Sequence, residues 1–488
     1  MFQSGSFLGV IMKIIGREQE QERFKKILAS KEAEFVVVYG RRRVGKTFLV
    51  REYFNKQRCH FLQATGMQKG AMSAQLQKFT EAYANTFYDG IGLKDFVSWR
   101  DAFHALTERL RATKTPCVIF LDEFPWMATD RSQCLQELEY YWNQYWVQMP
   151  HVKLILCGSS ASWLIKKIIY DTGGLHNRTT CQIRLLPFTL RETECFLKAK
   201  GVHLNRGHVL QLYMAMGGIP FYLKCAESGL TATEIIQHCF FAPNALLSGE
   251  FDKLFASLFT DASAYVELVK LLSTSHKGLS RSDIACKAIL SSNGGRLSER
   301  LNDLQEAGFI EVFVPFGKKT GETYKLLDPF CLFHLRWLGV QRQKYLPNHW
   351  SVQAKAPQYH AWAGYAFENV CLQHVHQIIT ALDFVAGGTI SSWRYAPKHA
   401  SEQGAQIDLL IDRDDGAIML VEIKYTNTPF VIDKAYAEKL QQKITVFRKQ
   451  TKTEKHILLV MVSAKGLKQT LYVEALVNRL VTIDHLFV

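Results

Sequence analysis

Residues 40–47 read G-R-R-R-V-G-K-T and directly follow an apolar run, 35–39. Few patterns of this length restrict a fold so tightly. Gly40 and Gly45 let the backbone turn sharply and present its amides to phosphate oxygens, Lys46 supplies a cation that reaches two phosphates, and the Thr47 hydroxyl is suited to ligate a magnesium ion. Gly40, Arg41, Arg42, Arg43, Val44, Gly45, Lys46, Thr47 and Phe48 are thus expected to hold ATP with Mg2+. Such a loop joins a strand to a helix, which calls for a mostly parallel α/β sheet. Apolar runs at 35–39, 60–64, 118–122, 152–157 and 182–186, alternating with amphipathic stretches, supply five short strands.

The run 117–121 delivers Asp122 and Glu123 at its C-terminal end, the edge where ligands bind in such sheets. Asp122 is expected to hold the metal through water, and Glu123 to polarise the water that attacks the γ-phosphate. One strand later, Gly158-Ser159-Ser160 places a hydroxyl, Ser159, where it would contact the γ-phosphate or that water.

Together, Ile15-Gly16-Arg17-Glu18 before a helix, the 40–47 loop, Asp122-Glu123, Gly158-Ser159-Ser160, the Arg178 segment and Gly217-Gly218-Ile219-Pro220 resemble the archaeal-type AAA+ ATPases. The resemblance covers the first half of the chain. It implies a homo-oligomer in which an arginine of one subunit completes a neighbour's site, and Arg178 stands where that finger would lie. No sensor arginine is evident in 217–223.

The expected domains are a P-loop core at 12–189, a helical lid at 190–255, a winged helix-turn-helix at 256–340, a polar linker at 341–357 and a further α/β domain at 358–488. Three helical stretches followed by a hairpin, 309–315 with 323–327, carry the winged-helix expectation. Its third helix has Arg296 and Arg300 but also Glu299, Asp303 and Glu306, so its charge does not single out DNA. Met12 opens a plausible alternative start, and residues 1–11 are expected to lie outside the fold.

In the last domain, 406–411 and 417–425 read as a hairpin of two buried strands carrying Asp408, Glu422 and Lys424. Residues two apart on a strand share a face, so Glu422 and Lys424 point the same way and Asp408 can meet them from the next strand. Charges in so apolar a setting need partners. A divalent metal held by Asp408 and Glu422, with Glu368 adding a carboxylate from the helix before them, would supply one, and Lys424 would position or activate the attacking water. This arrangement resembles the PD-(D/E)xK nucleases over about the last 130 residues, without the family's proline before Asp408. The resemblance implies a restriction-endonuclease-like fold using Mg2+ or Mn2+. A purely structural ion pair at Lys424 is the competing expectation.

Lys and Arg outnumber Asp and Glu by 59 to 45, a net charge of +14 that suits an anionic partner such as DNA. No run approaches the roughly 20 apolar residues of a membrane span, and the 11 cysteines are scattered, many of them in apolar runs. A soluble cytoplasmic protein with reduced thiols is expected. Two functional classes remain open: an ATPase that binds and cuts DNA, and a STAND-like signalling or scaffolding ATPase whose nuclease-like domain is inactive. A DNA-binding regulator without nuclease activity is a third possibility.

Overall fold

Five parallel strands build the first sheet: β1 (Glu34–Tyr39), β2 (His60–Thr65), β3 (Cys117–Asp122), β4 (Val152–Gly158) and β5 (Cys181–Arg184). Every residue of β3 and β4 is buried, as expected of central strands covered on both faces. The computed structural model describes residues 13–170, 173–175, 177–287, 294–339, 349–384, 387–397, 399 and 402–488. Residues 1–11 therefore lie outside the described residues. The strand order is β2-β3-β4-β1-β5. Sequence alone gives the five strands but not this order, which sets β4 between β1 and β3. The C-terminal ends of β1, β4 and β3 therefore lie side by side.

An aromatic core that includes Phe79, Trp99, Phe103, Trp142 and Trp146 packs against the sheet. Each such side chain contributes about 1.5–3 kcal/mol when fully buried. Trp146 is satisfied as well as buried, because its indole N–H donates to Thr107 Oγ1 at 2.8 Å.

The chain divides into two compact units that part between Leu186 and Pro187. In the second, helices Leu190–Ala199 and Arg206–Met216 come first. Further on, helix Ala262–Ser273, β6 (Leu279–Ser280), helix Arg281–Lys287, helix Gly294–Glu306, β7 (Ile310–Phe313) and β8 (Thr323–Leu326) follow in order. β7 and β8 form the hairpin, and β6 pairs with β8 on the other side. Arg300 is tied to Asp261 at 2.7 Å and Arg281 to Ser298 at 2.9 Å, which leaves Arg296 as an exposed base on helix Gly294–Glu306.

The expected linker, 341–357, is described only in its second half. Residues 341–348 lie outside the described residues, but His349–Gln353 is a helix whose Trp350 is 1% exposed. Its ring stacks 5.6 Å from Phe241 and meets Phe333 at 5.0 Å. One tryptophan among polar residues was enough to anchor the segment.

The last 130 residues hold helix Pro357–Gln373, then β9 (Gly388–Tyr395), β10 (Ala405–Arg413) and β11 (Ala417–Lys424), helix Lys434–Thr451, β12 (His456–Ser463) and β13 (Arg479–Thr482). Their order is β13-β12-β11-β10-β9, antiparallel from β9 to β11 and parallel from β11 to β13. Leu410, Ile418, Leu420, Leu440 and Phe447 form the core under this sheet.

Candidate nucleotide site and C-terminal carboxylate site

Gly40 has φ 141°, and a Cβ there would come within 2.3 Å of the Leu185 carbonyl oxygen, so only glycine fits where the loop leaves β1. Gly45, at φ 94°, ends the turn and caps helix Lys46–Phe54. Between them Arg43 also adopts positive φ. Lys46 is buried, and its ammonium donates to the carbonyls of Gly40 at 2.9 Å and Arg41 at 3.1 Å. The loop is thus closed on its own lysine, which nucleotide phosphates would draw outward.

Thr47 Oγ1 donates to Asp122 Oδ2 at 2.9 Å across the sheet edge. Burial raises the Asp122 carboxyl above its ordinary range and Glu123 adds to the rise, while Thr47 and the Lys46 charge pull it back. The Cys157 thiol, a weak donor, is the other polar group that reaches the carboxylate, whose Oδ1 is buried. A threonine hydroxyl beside a buried carboxylate fits a hydrated Mg2+, with Asp122 and Thr47 as the residues that would hold it.

Glu123 sits at φ 48°, in the left-handed region, where the chain leaves β3 for a short helix. Its carboxylate is held by Ser159, whose amide donates to Oε2 at 3.0 Å and whose hydroxyl donates to Oε1. Ser159, expected to contact the γ-phosphate or the attacking water, holds the group expected to polarise that water. The adjacency follows from β4 lying next to β3. Arg178 is exposed, on the loop before β5. Arg17, within the 15–18 motif, is 6% exposed and donates to the Leu186 carbonyl at 2.8 Å.

In the C-terminal domain, Leu409 pairs with Val421 in an antiparallel register, so Asp408 stands across from Glu422. The ladder between β9 and β10 breaks between Ile407 and Leu410, an irregularity that frees Asp408 from regular pairing. Gln406 Nε2 donates to Asp408 Oδ1. Glu422 accepts from Tyr436 at 2.6 Å and Lys443 at 2.7 Å, and Lys424 lies 2.9 Å away. Burial would push this carboxyl up, but Lys443 and Lys424, helped by the Tyr436 bond, hold it down to about 2.

Glu368, on helix Pro357–Gln373, accepts from Lys325 at 2.6 Å. Burial raises it; Lys325 opposes the rise, and the charges of Asp408 and Glu422 add to it. Glu368 therefore lies within electrostatic reach of Asp408 and Glu422, yet among the described residues no three His, Cys, Asp or Glu side chains gather tightly enough to hold a metal. The expected shared-metal arrangement of these three acids is thus not assembled here; Glu422 and Glu368 are each paired with lysine. Sequence reasoning passed over Tyr436, Lys443 and Lys325. The spacing of Tyr436 and Lys443, seven apart on one helix face, was the available signal for the first two.

Residues 14–225 match an ATPase domain described as predominantly from Archaea. The chain thus carries an archaeal-type P-loop ATPase domain over these residues, and the 40–47 loop lies within it. Over 419 residues it is 23% identical to an uncharacterized protein of Methanocaldococcus jannaschii, covering 84% of this chain and 87% of that one. Among solved structures it is similar to a Walker-type ATPase of Pyrococcus abyssi (19% identity, 66% of this chain and 96% of that one, TM-score 0.47). It is also similar to the ORC2 protein of Aeropyrum pernix (13% identity, 66% and 93%, TM-score 0.45). Among the described residues no helix is long and apolar enough to cross a membrane.

Proposed function

We propose that this chain is an ATP-hydrolysing protein that binds DNA and, under nucleotide control, cuts it with a divalent metal held by Asp408, Glu422 and Glu368, Lys424 positioning or activating the attacking water. The observation that carries the reading is the presentation of Asp408 across from Glu422 with the Lys424 ammonium 2.9 Å from that carboxylate. Two carboxylates and a lysine on one strand pair can hold Mg2+ or Mn2+ and orient water toward a phosphodiester. The net charge of +14 favours an anionic substrate. The helix–strand–helix–helix–hairpin segment is read as a winged helix and the helices after Pro187 as a lid.

One observation favours a second reading, a signalling or scaffolding ATPase whose last domain binds without cutting. Glu422 and Glu368 each already have a lysine partner. The deciding experiment incubates the purified protein with plasmid, linear duplex and single-stranded DNA, with and without ATP and with Mg2+, Mn2+ or EDTA. Metal-dependent nicking that disappears in Asp408→Ala is expected. Cleavage absent under every condition, with ATPase activity intact, favours the scaffold.

Binding to DNA is expected to weaken by about tenfold or more between 50 and 200 mM salt, because each neutralised phosphate releases counterions. A fluorescence titration at several salt concentrations reads the slope, and a flat one removes DNA from the proposal.

Arg178→Ala is expected to lower turnover by about a hundredfold or more with little change in nucleotide affinity, as an arginine acting on transition-state charge would. Mixing Arg178→Ala with Lys46→Ala protein should restore part of the activity if the arginine serves a neighbouring subunit. Unchanged turnover in Arg178→Ala removes it from the site.

A further inference from the structure

Lys325, on β8, is 5% exposed. Burying an ammonium costs several kcal/mol unless it is paired, and an apolar residue would glue a hairpin to its neighbour with less desolvation. Its placement therefore asks for a reason beyond packing. The ammonium bonds Glu368 at 2.6 Å and lies 5.5 Å from the centre of the Tyr365 ring, against which the His276 ring packs at 3.8 Å. Tyr365 is itself pushed up to about 12, by burial first, with the charges of Glu368 and Asp408 adding to the rise.

The hairpin that carries Lys325 is held in place by a second set of contacts. Pro315 bridges to Ser392 on β9, the Phe316 amide donates to the Ser392 carbonyl at 2.9 Å, and the Phe316 ring meets Phe447 at 5.4 Å. These contacts hold the hairpin, and with it the lysine, against the C-terminal domain. The charged groups around Glu368 are then Lys325, Asp408 and Glu422.

We propose that Lys325 is an internal stand-in for the divalent cation: while the β7–β8 hairpin is docked, its ammonium holds Glu368, and metal loads fully only when the hairpin lifts. This rests on reading Asp408, Glu422 and Glu368 as a cation site. The hairpin thereby acts as an autoinhibitory element, and hairpin docking and metal binding are mutually exclusive. A binding-competent state that is populated only in part weakens apparent affinity by that fraction.

The test is calorimetric titration of Mn2+ into full-length, metal-stripped protein, counting only the binding that Asp408→Ala abolishes. Lys325→Met keeps the length of the side chain and removes its charge. Phe316→Ser loosens the hairpin anchor and leaves the lysine intact. Both are expected to tighten Asp408-dependent Mn2+ binding by about tenfold, the factor that corresponds to a competent state populated near one part in ten. Their nucleotide binding reports that each is folded, and if one variant does not fold the other decides. Asp408-dependent binding of unchanged affinity overturns the stand-in while leaving the cation site in place. No Asp408-dependent binding in any of the proteins overturns the cation site, and the stand-in with it.

Discussion

Lys46→Ala protein is expected to lose ATP hydrolysis by about a thousandfold or more, while Glu123→Gln keeps its nucleotide affinity within about threefold and still fails to turn over. The two effects differ because the residues act at different moments. On the proposed assignment Lys46 would leave the Gly40 and Arg41 carbonyls, which it now bonds at 2.9 and 3.1 Å, for the phosphates in both ground and transition states. Glu123 would act only on the attacking water. Ser159→Ala separates a further role, since it removes the hydroxyl that now holds the Glu123 carboxylate. Phosphate release and nucleotide affinity measured on all three variants check the assignment, and Lys46→Ala hydrolysis within tenfold of the parent would show that this loop does not hold the phosphates.

The second large effect concerns stability and pH. Glu422 is held near 2 in the folded chain against 4.5 in its absence. A carboxyl whose folded value is depressed stabilises the fold above its unfolded value, and that contribution fades as pH falls through the folded one. The difference corresponds to roughly 3 kcal/mol at neutral pH. Glu422→Gln is thus expected to melt several degrees below the parent at pH 7, with the gap narrowing below about pH 4.5 and closing toward pH 2. A gap independent of pH would mean that the lysines contribute little. If the metal reading holds, saturating Mn2+ raises the parent's midpoint and leaves that of Glu422→Gln nearly unmoved.

The strands of the first sheet were legible because each is a short apolar run, and three of them end at a chemical landmark: Tyr39 before the loop, Asp122 before Glu123, Gly158 before Ser159. Their order was not, since nothing local tells a strand which neighbour it will pair with, and the grip of Ser159 on Glu123 depends on that order. In the C-terminal domain Asp408, Glu422 and Lys424 stood out as charges in apolar strands. Lys443 and Tyr436 did not, because on an amphipathic helix a lysine or tyrosine reads as an ordinary surface residue. Lys325 was hidden by distance along the chain, 43 residues from the acid it meets. Trp350 shows the same limit from the other side, as a single anchoring ring within a stretch whose composition reads as linker.

β9 is the outermost strand of the C-terminal sheet, and its unpaired side is where Pro315 and Phe316 attach, at Ser392. An uncovered strand edge is a template for any other strand that meets it, including one from a second copy of the chain. Ile390, about half exposed on the same strand, would add an apolar foothold. On the proposal that the hairpin lifts, it would also guard this edge against self-association. Lifting it to admit metal would uncover the edge as well, so loading and strand exchange between copies would rise together. Phe316→Ser protein should accordingly form larger species on standing, and added Mn2+ should drive the parent protein the same way.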